Sequence, residues 1–442
     1  MYNTTIEIWE LFIIPFLLTT FLAVVWFYPS EKNRLTFGLG LTARLIGGIG
    51  FVLIYLFYYQ GGDTLAYYRT AVPLVNMIYA DPLTGLKLLV EPYSMENYSL
   101  FTQETGFPLK YIYEDQSTYM VSRLIVPFLM LTYKSYFLST ILVSAVTFLG
   151  PWKLYLLCKE LIPQLDKTIQ FAVLFFPSVL FWGSGISKDN FTYVSVCYLS
   201  YGFYHIVIKR QFSLIQVILS TLSLFLLIVI KPYLFIVLLP GSVLWAFNST
   251  IINIKRNWLR RSIIPVSILL SGVIFIFLFT TLSPYLGDYS AENIITKAVV
   301  TQEDLKRSFY GSNSFDIGTI DPSFTGIISK FPIATFYGFY GPTLLHVNNI
   351  VMLFSAIENT FLLIMTGLVL VRNNPRKTLN AILDNPFLLY CLSFSIFLAF
   401  SIGLTTPNFG ALVRFKIPLL PFFSMFLFIL YHNISYNPPH KK

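Results

Sequence analysis

Residues 58–69 read Tyr-Tyr-Gln-Gly-Gly-Asp-Thr-Leu-Ala-Tyr-Tyr-Arg. The first of them complete a long apolar run that ends near residue 60. The pair Gly61-Gly62 predicts a helix end, because glycine accepts backbone conformations that other residues avoid. A carboxylate, two tyrosines and an arginine come next. The stretch therefore predicts the point where a membrane-spanning helix ends and a polar segment begins.

The composition is that of a membrane protein. Of the 442 residues, 55% are hydrophobic and only 12% are charged, whereas a soluble domain carries about 25% charged residues. Apolar runs long enough to cross a hydrocarbon core of ~30 Å recur along the chain. The sequence therefore predicts an all-α fold, a polytopic membrane helical bundle that forms a single membrane-embedded domain, 1–442.

Eleven apolar runs are predicted to span the membrane. They are 8–28, 44–60, 136–157, 168–183, 191–208, 213–230, 232–248, 262–283, 350–371, 386–404 and 415–432. A shorter run, 119–133, is interpreted as re-entrant or interfacial, and as a span it would raise the count to twelve. Two long outer loops, 61–118 and 284–348, mix apolar and charged residues, which predicts short interfacial helices.

The charges predict the orientation. With the N-terminus outside, 17 of the 30 Lys and Arg residues fall in inner loops and helix ends, as the positive-inside rule requires. They are Lys32, Arg34, Arg44, Lys153, Lys159, Lys167, Lys209, Arg210, Lys255, Arg256, Arg260, Arg261, Arg372, Arg376, Lys377, Lys441 and Lys442. Most acids fall outside. The net charge of +9 is thus a topology signal, and we expect no nucleic-acid partner.

The cysteines and histidines predict neither a disulfide framework nor a metal site. The three cysteines lie in or beside apolar runs, and the four histidines are scattered without ligand spacing. No outer loop contains a metal-binding Asp-x-Asp. We therefore expect no resident cofactor. A divalent metal stays an open alternative, although the sequence contains no ligand motif for one.

Three polar turns lie on the same predicted side of the membrane as Asp63. Lys188-Asp189 follows a Trp-Gly-Ser-Gly turn, Lys231 interrupts a long apolar stretch, and Arg414 opens the last span together with Lys416. A lone cation at the bilayer centre costs about 2.5–3.5 kcal/mol, and less near the interface. Lys231 in particular is therefore expected to have an anion or water beside it.

Each of these groups also has a purely structural explanation. Asp63 could be a turn residue at a helix end, and Lys188-Asp189 a turn followed by a helix N-cap. Lys231 could extend along the apolar surface to the interface, where Arg414 and Lys416 could anchor the last span. Tyrosines at these positions are also typical of an interfacial aromatic belt.

Taken together, the groups favour a substrate with an anionic head, an apolar tail and many hydroxyls. Cations neutralise phosphate oxygens, a carboxylate takes the proton of an acceptor hydroxyl, and aromatic rings stack on sugars. The candidate catalytic residues are Asp63 and Asp189. The candidate substrate-binding residues are Lys188, Lys231, Arg414, Arg123, Arg69, Tyr67 and Tyr68. The expected partners are a polyprenyl-phosphate-linked saccharide and membrane lipids.

Two motifs carry a resemblance to a known family. Gly61, Gly62, Asp63 and Tyr67 form an early outer-loop Gly-Gly-Asp-x-x-x-Tyr, and Arg414 opens the last helix with prolines 418 and 421. In these features the chain resembles the bacterial O-antigen and exopolysaccharide polymerases and, more loosely, the C-type glycosyltransferases. The resemblance implies a bundle that joins undecaprenyl-linked oligosaccharides, with Asp63 as base and Arg414 as phosphate ligand.

The resemblance also implies a place in the cell. We expect a multi-pass protein of the bacterial inner membrane, with its N-terminus outside, its C-terminus cytoplasmic and its site at the outer face. Asp63 follows the second predicted helix, whereas the acid of C-type transferases follows the first, which favours the polymerase. Alternatives are a flippase or transporter of lipid-linked or anionic saccharide, or a non-catalytic subunit of a polysaccharide export complex.

Overall fold

The computed structural model describes residues 7–251, 254, 257–290, 292–306 and 313–432. These residues are helical and form no strand, apart from an isolated bridge between Ser314 and Asn408. The predicted all-α, polytopic membrane fold is confirmed. Several basic residues used for the orientation lie outside the described residues: Lys255, Arg256, Lys441 and Lys442, and the side chains of Arg260 and Arg261.

The described chain contains 23 α-helices. In order they are α1 Ile8–Phe27, α2 Arg34–Leu53, α3 Asp63–Ala80, α4 Pro82–Val90, α5 Met95–Ser99, α6 Lys110–Tyr113, α7 Gln116–Leu131, α8 Tyr136–Thr147, α9 Leu149–Leu161, α10 Asp166–Leu174, α11 Pro177–Trp182, α12 Lys188–Phe203, α13 Leu214–Ile230, α14 Pro232–Ile251, α15 Asn257–Leu282, α16 Ile294–Leu305, α17 Phe324–Ser329, α18 Phe331–Tyr340, α19 Ile350–Arg372, α20 Pro375–Leu383, α21 Pro386–Thr405, α22 Phe409–Phe415 and α23 Leu419–Tyr431.

Within the described ranges, eight helical segments are long and apolar enough to cross a membrane, and a ninth results if α22 and α23, bent by 69°, form one span. The count is lower than the eleven to twelve expected from the sequence. The run predicted at 168–183 is divided between α10 and α11, because a residue before proline, here Phe176, avoids the helical conformation. The run at 213–230 forms a helix of 17 residues, α13.

The chain, predicted as one domain, divides into two compact units. The first comprises 1–153, 179–197 and 229–231. In it α3 packs on α7 and α4, and α2 packs on α8. Thirteen of the 18 residues of α3 are buried. The first predicted outer loop is therefore folded into this unit as helices. An interfacial helix buries one face, whereas α3 is buried on most of its surface.

The second unit comprises 154–178, 198–228 and 232–442. Within its described part, helices α18 and α21 pack closely, and a Cβ added to Gly338 would lie 1.9 Å from the Ala399 carbonyl oxygen. The reciprocal contact is equally tight, since a Cβ on Gly403 would lie 1.9 Å from the carbonyl oxygen of Ala334. Small residues thus let the two backbones touch, as they do in packed membrane helices.

Candidate functional site

Asp63 is the first residue of α3 and is exposed to solvent. The helix begins there because Gly62 has φ = 98°, a left-handed conformation that favours glycine. A Cβ at Gly62 would also lie only 2.8 Å from the ring of Tyr55. The glycine pair therefore ends one helix and starts the next, and it presents the Asp63 carboxylate at a helix N-terminus, where negative charge is favoured.

Lys188, the first residue of α12, contacts the N-terminus of α7. Its Nζ donates to Ser117 Oγ at 2.8 Å and lies 3.4 Å from Asp115 Oδ2. Asp115 caps α7, because its carboxylate accepts from the Ser117 amide at 3.0 Å and from the Thr118 hydroxyl. Lys188 and Asp115 are therefore held against each other by the ends of two helices.

The pKa of Asp115 reflects these contacts. Partial burial alone would raise the pKa, but the Lys188 ammonium and the hydrogen bonds from Thr118 and Ser117 outweigh it and lower the pKa from 3.8 to about 2. The Asp115 side chain is nevertheless half exposed. The carboxylate is thus charged at any physiological pH and still reachable from solvent.

Lys231 is buried and paired. It lies between α13 and α14, and its ammonium donates to Asp189 Oδ1; both side chains are less than a tenth exposed. The expected anion beside Lys231 is therefore present. Asp189 does not cap α12, because Ser187 Oγ accepts the Asn190 amide at 3.1 Å in that role. The Asp189 carboxylate is thereby left to hold the lysine.

These contacts bring three separate segments together, and the charge of a fourth lies within electrostatic range. Lys188 interacts electrostatically with Lys231 and Asp63 as well as with Asp115. We name the lysine–aspartate cluster after its five members: Asp63, Asp115, Lys188, Asp189 and Lys231. Three carboxylates and two ammonium groups give a formal charge of −1, and the N-termini of α3, α7 and α12 add the positive ends of three helix dipoles.

Arg44 supports the cluster from inside the first unit. The sequence assigned it to an inner helix end, but it lies within α2 and is buried. Its Nη2 donates to Asn190 Oδ1 at 2.8 Å and its Nη1 to the Val179 carbonyl at 3.1 Å. A Cβ on Gly183 would lie 2.8 Å from Nη1, so this glycine makes room for the guanidinium. Arg44 thereby fixes the residue next to Asp189.

The predicted tyrosines and Arg69 have other surroundings. Tyr67 and Tyr68 are buried within α3, and the Tyr68 hydroxyl donates to the Lys134 carbonyl at 2.9 Å. Their rings are therefore part of the packing of the first unit instead of an open platform for sugars. Arg69 is exposed on the same helix.

The other two predicted arginines lie on α7 and α22. Arg123 is buried, donates to the Glu91 carbonyl and stacks 4.2 Å from the Tyr119 ring centroid, contacts that fix the 91–97 segment on α7. Arg414 belongs to the second unit, where it is half-buried on α22. The structure therefore assembles Asp63, Lys188, Asp189 and Lys231 and gives Arg123 a separate structural partner.

Lys416, for which an interfacial anchor was one alternative, is buried in the second unit. Its ammonium donates to the Gly341 carbonyl at 2.6 Å, to Asn359 Oδ1 at 3.0 Å and to the Phe339 carbonyl at 3.2 Å, and it interacts with the Glu358 carboxylate. Glu358 in turn accepts from the Ser178 amide at 2.7 Å. The charges of Lys416 and Glu358 are therefore compensated within one set of buried hydrogen bonds and charge interactions.

A first prediction follows from the pKa of Asp115. Asp115→Asn keeps a helix cap but removes the charge that stabilises the folded protein. Because the folded-state pKa is depressed, this stabilisation is present above the unfolded-state value of roughly 4 and disappears as the pH falls towards about 2. We expect a wild-type advantage of up to about 1 kcal/mol at neutral pH, since the pair is partly exposed. Thermal unfolding in detergent across the pH series measures it, and an advantage that does not change with pH contradicts the assignment.

The side chains of the cluster determine which chemistry it can carry out. Among the described residues, no group of three His, Cys, Asp or Glu side chains is placed to hold a metal ion. The cluster's functional groups are thus carboxylates, ammonium groups and the Ser117 hydroxyl. Comparisons of the chain with protein-family models, with curated proteins and with solved structures find no match.

Proposed function

We propose that this protein is an integral-membrane glycosyltransferase or polymerase of cell-surface polysaccharide assembly, which transfers sugar units from a polyprenyl-(pyro)phosphate donor. The observation that carries the proposal is the position of Lys188, between the Asp115–Ser117 cap and the charges of Asp63 and Lys231. An exposed acid and two cations lie at neighbouring helix ends. Sugar transfer from a phosphate needs a base and a stabilised leaving group, which such groups supply.

The donor phosphate replaces Asp115 as the partner of Lys188. Their separation of 3.4 Å is long for a charge-assisted contact, and the Asp115 side chain is half exposed, so it can move away. The Ser117 hydroxyl and the helix N-termini then face the phosphate, which they favour. Lys231 stays paired with Asp189 in the buried layer beneath, and the pair holds the start of α12, which carries Lys188.

Asp63 is the base of the proposed reaction. The acceptor hydroxyl gives its proton to the Asp63 carboxylate while its oxygen bonds to the anomeric carbon of the donor sugar. The bond from that carbon to the phosphate oxygen breaks, and its electron pair leaves with the polyprenyl (pyro)phosphate, whose charge Lys188 stabilises. The proton then passes from Asp63 to water. This single displacement inverts the anomeric centre.

Asp189 has a different role in this proposal from the catalytic one predicted from the sequence. Its carboxylate is buried and bonded to Lys231, so it is poorly placed to take a proton from an acceptor in solution. It is a positioning residue that holds Lys231. We assign proton transfer to Asp63 alone.

The cellular setting is part of the proposal. The distribution of basic residues supports an orientation with the N-terminus outside, in which the cluster faces outward, and the resemblance to the O-antigen polymerases supports the bacterial inner membrane. The polymerase-like motif at Gly61, Gly62 and Asp63 agrees with the position of Asp63 in the cluster.

Lys188→Gln tests donor recognition without knowledge of the sugar. We expect its affinity for undecaprenyl phosphate to fall at least about tenfold, because a hydrogen bond to a charged group contributes about 1.5–3 kcal/mol. Native mass spectrometry of the protein in nanodiscs measures binding of undecaprenyl phosphate against undecaprenol, which lacks the phosphate. The matched control is Lys87→Gln, since Lys87 lies in an exposed pair with Glu91 in the same unit.

Two outcomes would contradict this part of the proposal. Equal binding of undecaprenol and undecaprenyl phosphate would mean that no phosphate is recognised. An equal loss in the Lys188 and Lys87 variants would mean that the attraction is a general surface effect. Either result favours a non-catalytic subunit over a transferase.

A transporter is the second candidate, and the buried Lys416 network favours it. An ammonium group held by the carbonyls of Phe339 and Gly341 beside a broken helix pair resembles the way transporters place charged groups at interrupted helices. Counterflow of a labelled lipid-linked saccharide in vesicles, without a new glycosidic bond, would support this function. Formation of the bond without counterflow supports the transferase.

A further inference from the structure

A cavity of about 680 Å³ lies in the first unit, apart from the lysine–aspartate cluster. Its walls are the first turn of α1, one face of α3, the 103–106 segment and the turn 133–135. The α3 face is formed by Tyr68, Val72 and Asn76, whose spacing of four residues places them on one side of the helix. The cavity is therefore enclosed by four separate pieces of chain.

Aromatic rings form part of the cavity wall. The rings of Trp9 and Tyr133 meet edge to face, with centroids 6.3 Å apart, and both line the cavity. Tyr68 also belongs to the wall but is almost fully buried, so the other two rings offer the aromatic surface. The turn that carries Tyr133 is tightly fixed, since Tyr133 and Lys134 both have positive φ, at 50° and 66°. Non-glycine residues keep such a conformation only where their surroundings hold it. The wall is thus preformed.

The polar groups of the cavity are mainly acidic. Glu10 is buried, and its carboxylate accepts from the Glu7 amide at 3.3 Å and from the Ser135 hydroxyl. The lysine in the wall, Lys134, already donates to Asn76 Oδ1 at 2.8 Å. Glu7, Glu10 and Glu104 against one lysine give the walls a formal charge of −2. An anionic ligand would be repelled.

We infer that this cavity binds a saccharide, with a preference for sugars that carry a free amino group over anionic sugars. Aromatic rings pack against the C–H faces of sugars, while carboxylates accept from hydroxyl and ammonium groups. No three metal-ligating side chains among the described residues are placed to hold an ion, which favours a hydroxyl-rich ligand over a divalent cation.

The cavity is placed to hold the acceptor chain, a role that rests on the proposed function. Asp63 and Tyr68 lie on the same helix, α3. Five residues, at ~1.5 Å rise and ~100° of rotation each, put them about 7.5 Å apart along its axis and about 140° apart around it. A chain anchored in the cavity would therefore pass around the N-terminal end of α3 to reach Asp63, a path that an oligosaccharide of several sugars can follow.

Binding to the full-length protein in nanodiscs tests the inference without turnover. The probes are oligomers of equal length of glucosamine, of N-acetylglucosamine and of glucuronate. Their binding is measured by the quenching of tryptophan fluorescence. We expect affinity to fall in that order. Glu10→Gln and, separately, Glu104→Gln should each weaken glucosamine-oligomer binding by about tenfold and reduce its advantage over the N-acetyl form. Trp9→Phe should remove most of the quenching signal. Glu96→Gln, an exposed acid on α5, is the control.

Several results would overturn the inference. They are no binding of any oligomer, tightest binding of the glucuronate oligomer, binding unchanged by both glutamate variants, and calcium binding at the acids that displaces the sugars. The outcome is separable from the transferase proposal, because Asp63→Asn should leave this binding intact. Saccharide binding without transfer would leave the inference standing alone.

Discussion

An Asp63→Asn variant is expected to lose about 10²–10⁴-fold in polymer synthesis, the usual contribution of a general base. The amide has nearly the same shape but cannot take a proton from the acceptor hydroxyl. Asp63 is exposed at the start of α3 and lies outside the buried Asp189–Lys231 pair, so folding should be unaffected. The measurement is polysaccharide chain length and amount in cells that carry only the variant, together with its level in the membrane.

The chain offers a matched control for this change. Asp81 is also an exposed aspartate at a helix N-terminus in the first unit, where it caps α4. Asp81→Asn should keep both membrane insertion and synthesis, because asparagine caps helices about as well. Undiminished polymer length in the Asp63 variant, at a normal membrane level, would remove Asp63 from the chemistry.

The second large effect is on stability. Lys231→Met removes one partner of a buried ion pair and should destabilise the protein by about 3–5 kcal/mol, because the Asp189 carboxylate then stays buried without its main counter-charge. Denaturation of the purified protein in detergent measures the change. The same substitution at Lys87 is the control, since the exposed pair with Glu91 contributes about 1 kcal/mol or less.

A double variant separates stability from function. Replacing both partners by apolar residues, Lys231→Met with Asp189→Leu, should restore most of the stability, because neither charge is then left alone. Polymer synthesis should stay low, since the pair that holds the start of α12 and with it Lys188 is gone. A Lys231→Met variant as stable as the wild type would contradict the buried pair itself.

Local features of the fold were predictable from the sequence. Long apolar runs identified most spans, and Gly61-Gly62 correctly predicted a helix end before Asp63, since both signals depend on neighbouring residues alone. The division of the run 168–183 could also be foreseen, because Pro177 separates α10 from α11. The folded state of the first outer loop was harder to foresee, as the burial of α3 depends on its packing against α7.

The contacts of the site could be predicted only in part. The need of Lys231 for an anion follows from its apolar surroundings, but Asp189 is 42 residues away and no local pattern points to it. Arg44 was placed at an inner helix end, because its partner Asn190 is separated from it by 146 residues. Asp115 and Ser117 carried a weak signal, a helix cap after a polar loop, which does not reveal the contact with Lys188.

The most direct test of the central claim is the position of a donor phosphate. A structure of the protein with bound undecaprenyl phosphate should show the phosphate within about 3 Å of Lys188 Nζ, with Asp115 turned away and the Lys231–Asp189 pair intact. A phosphate bound elsewhere, with Lys188 still held by Asp115 and Ser117, would contradict the proposed donor site and the chemistry assigned to Asp63.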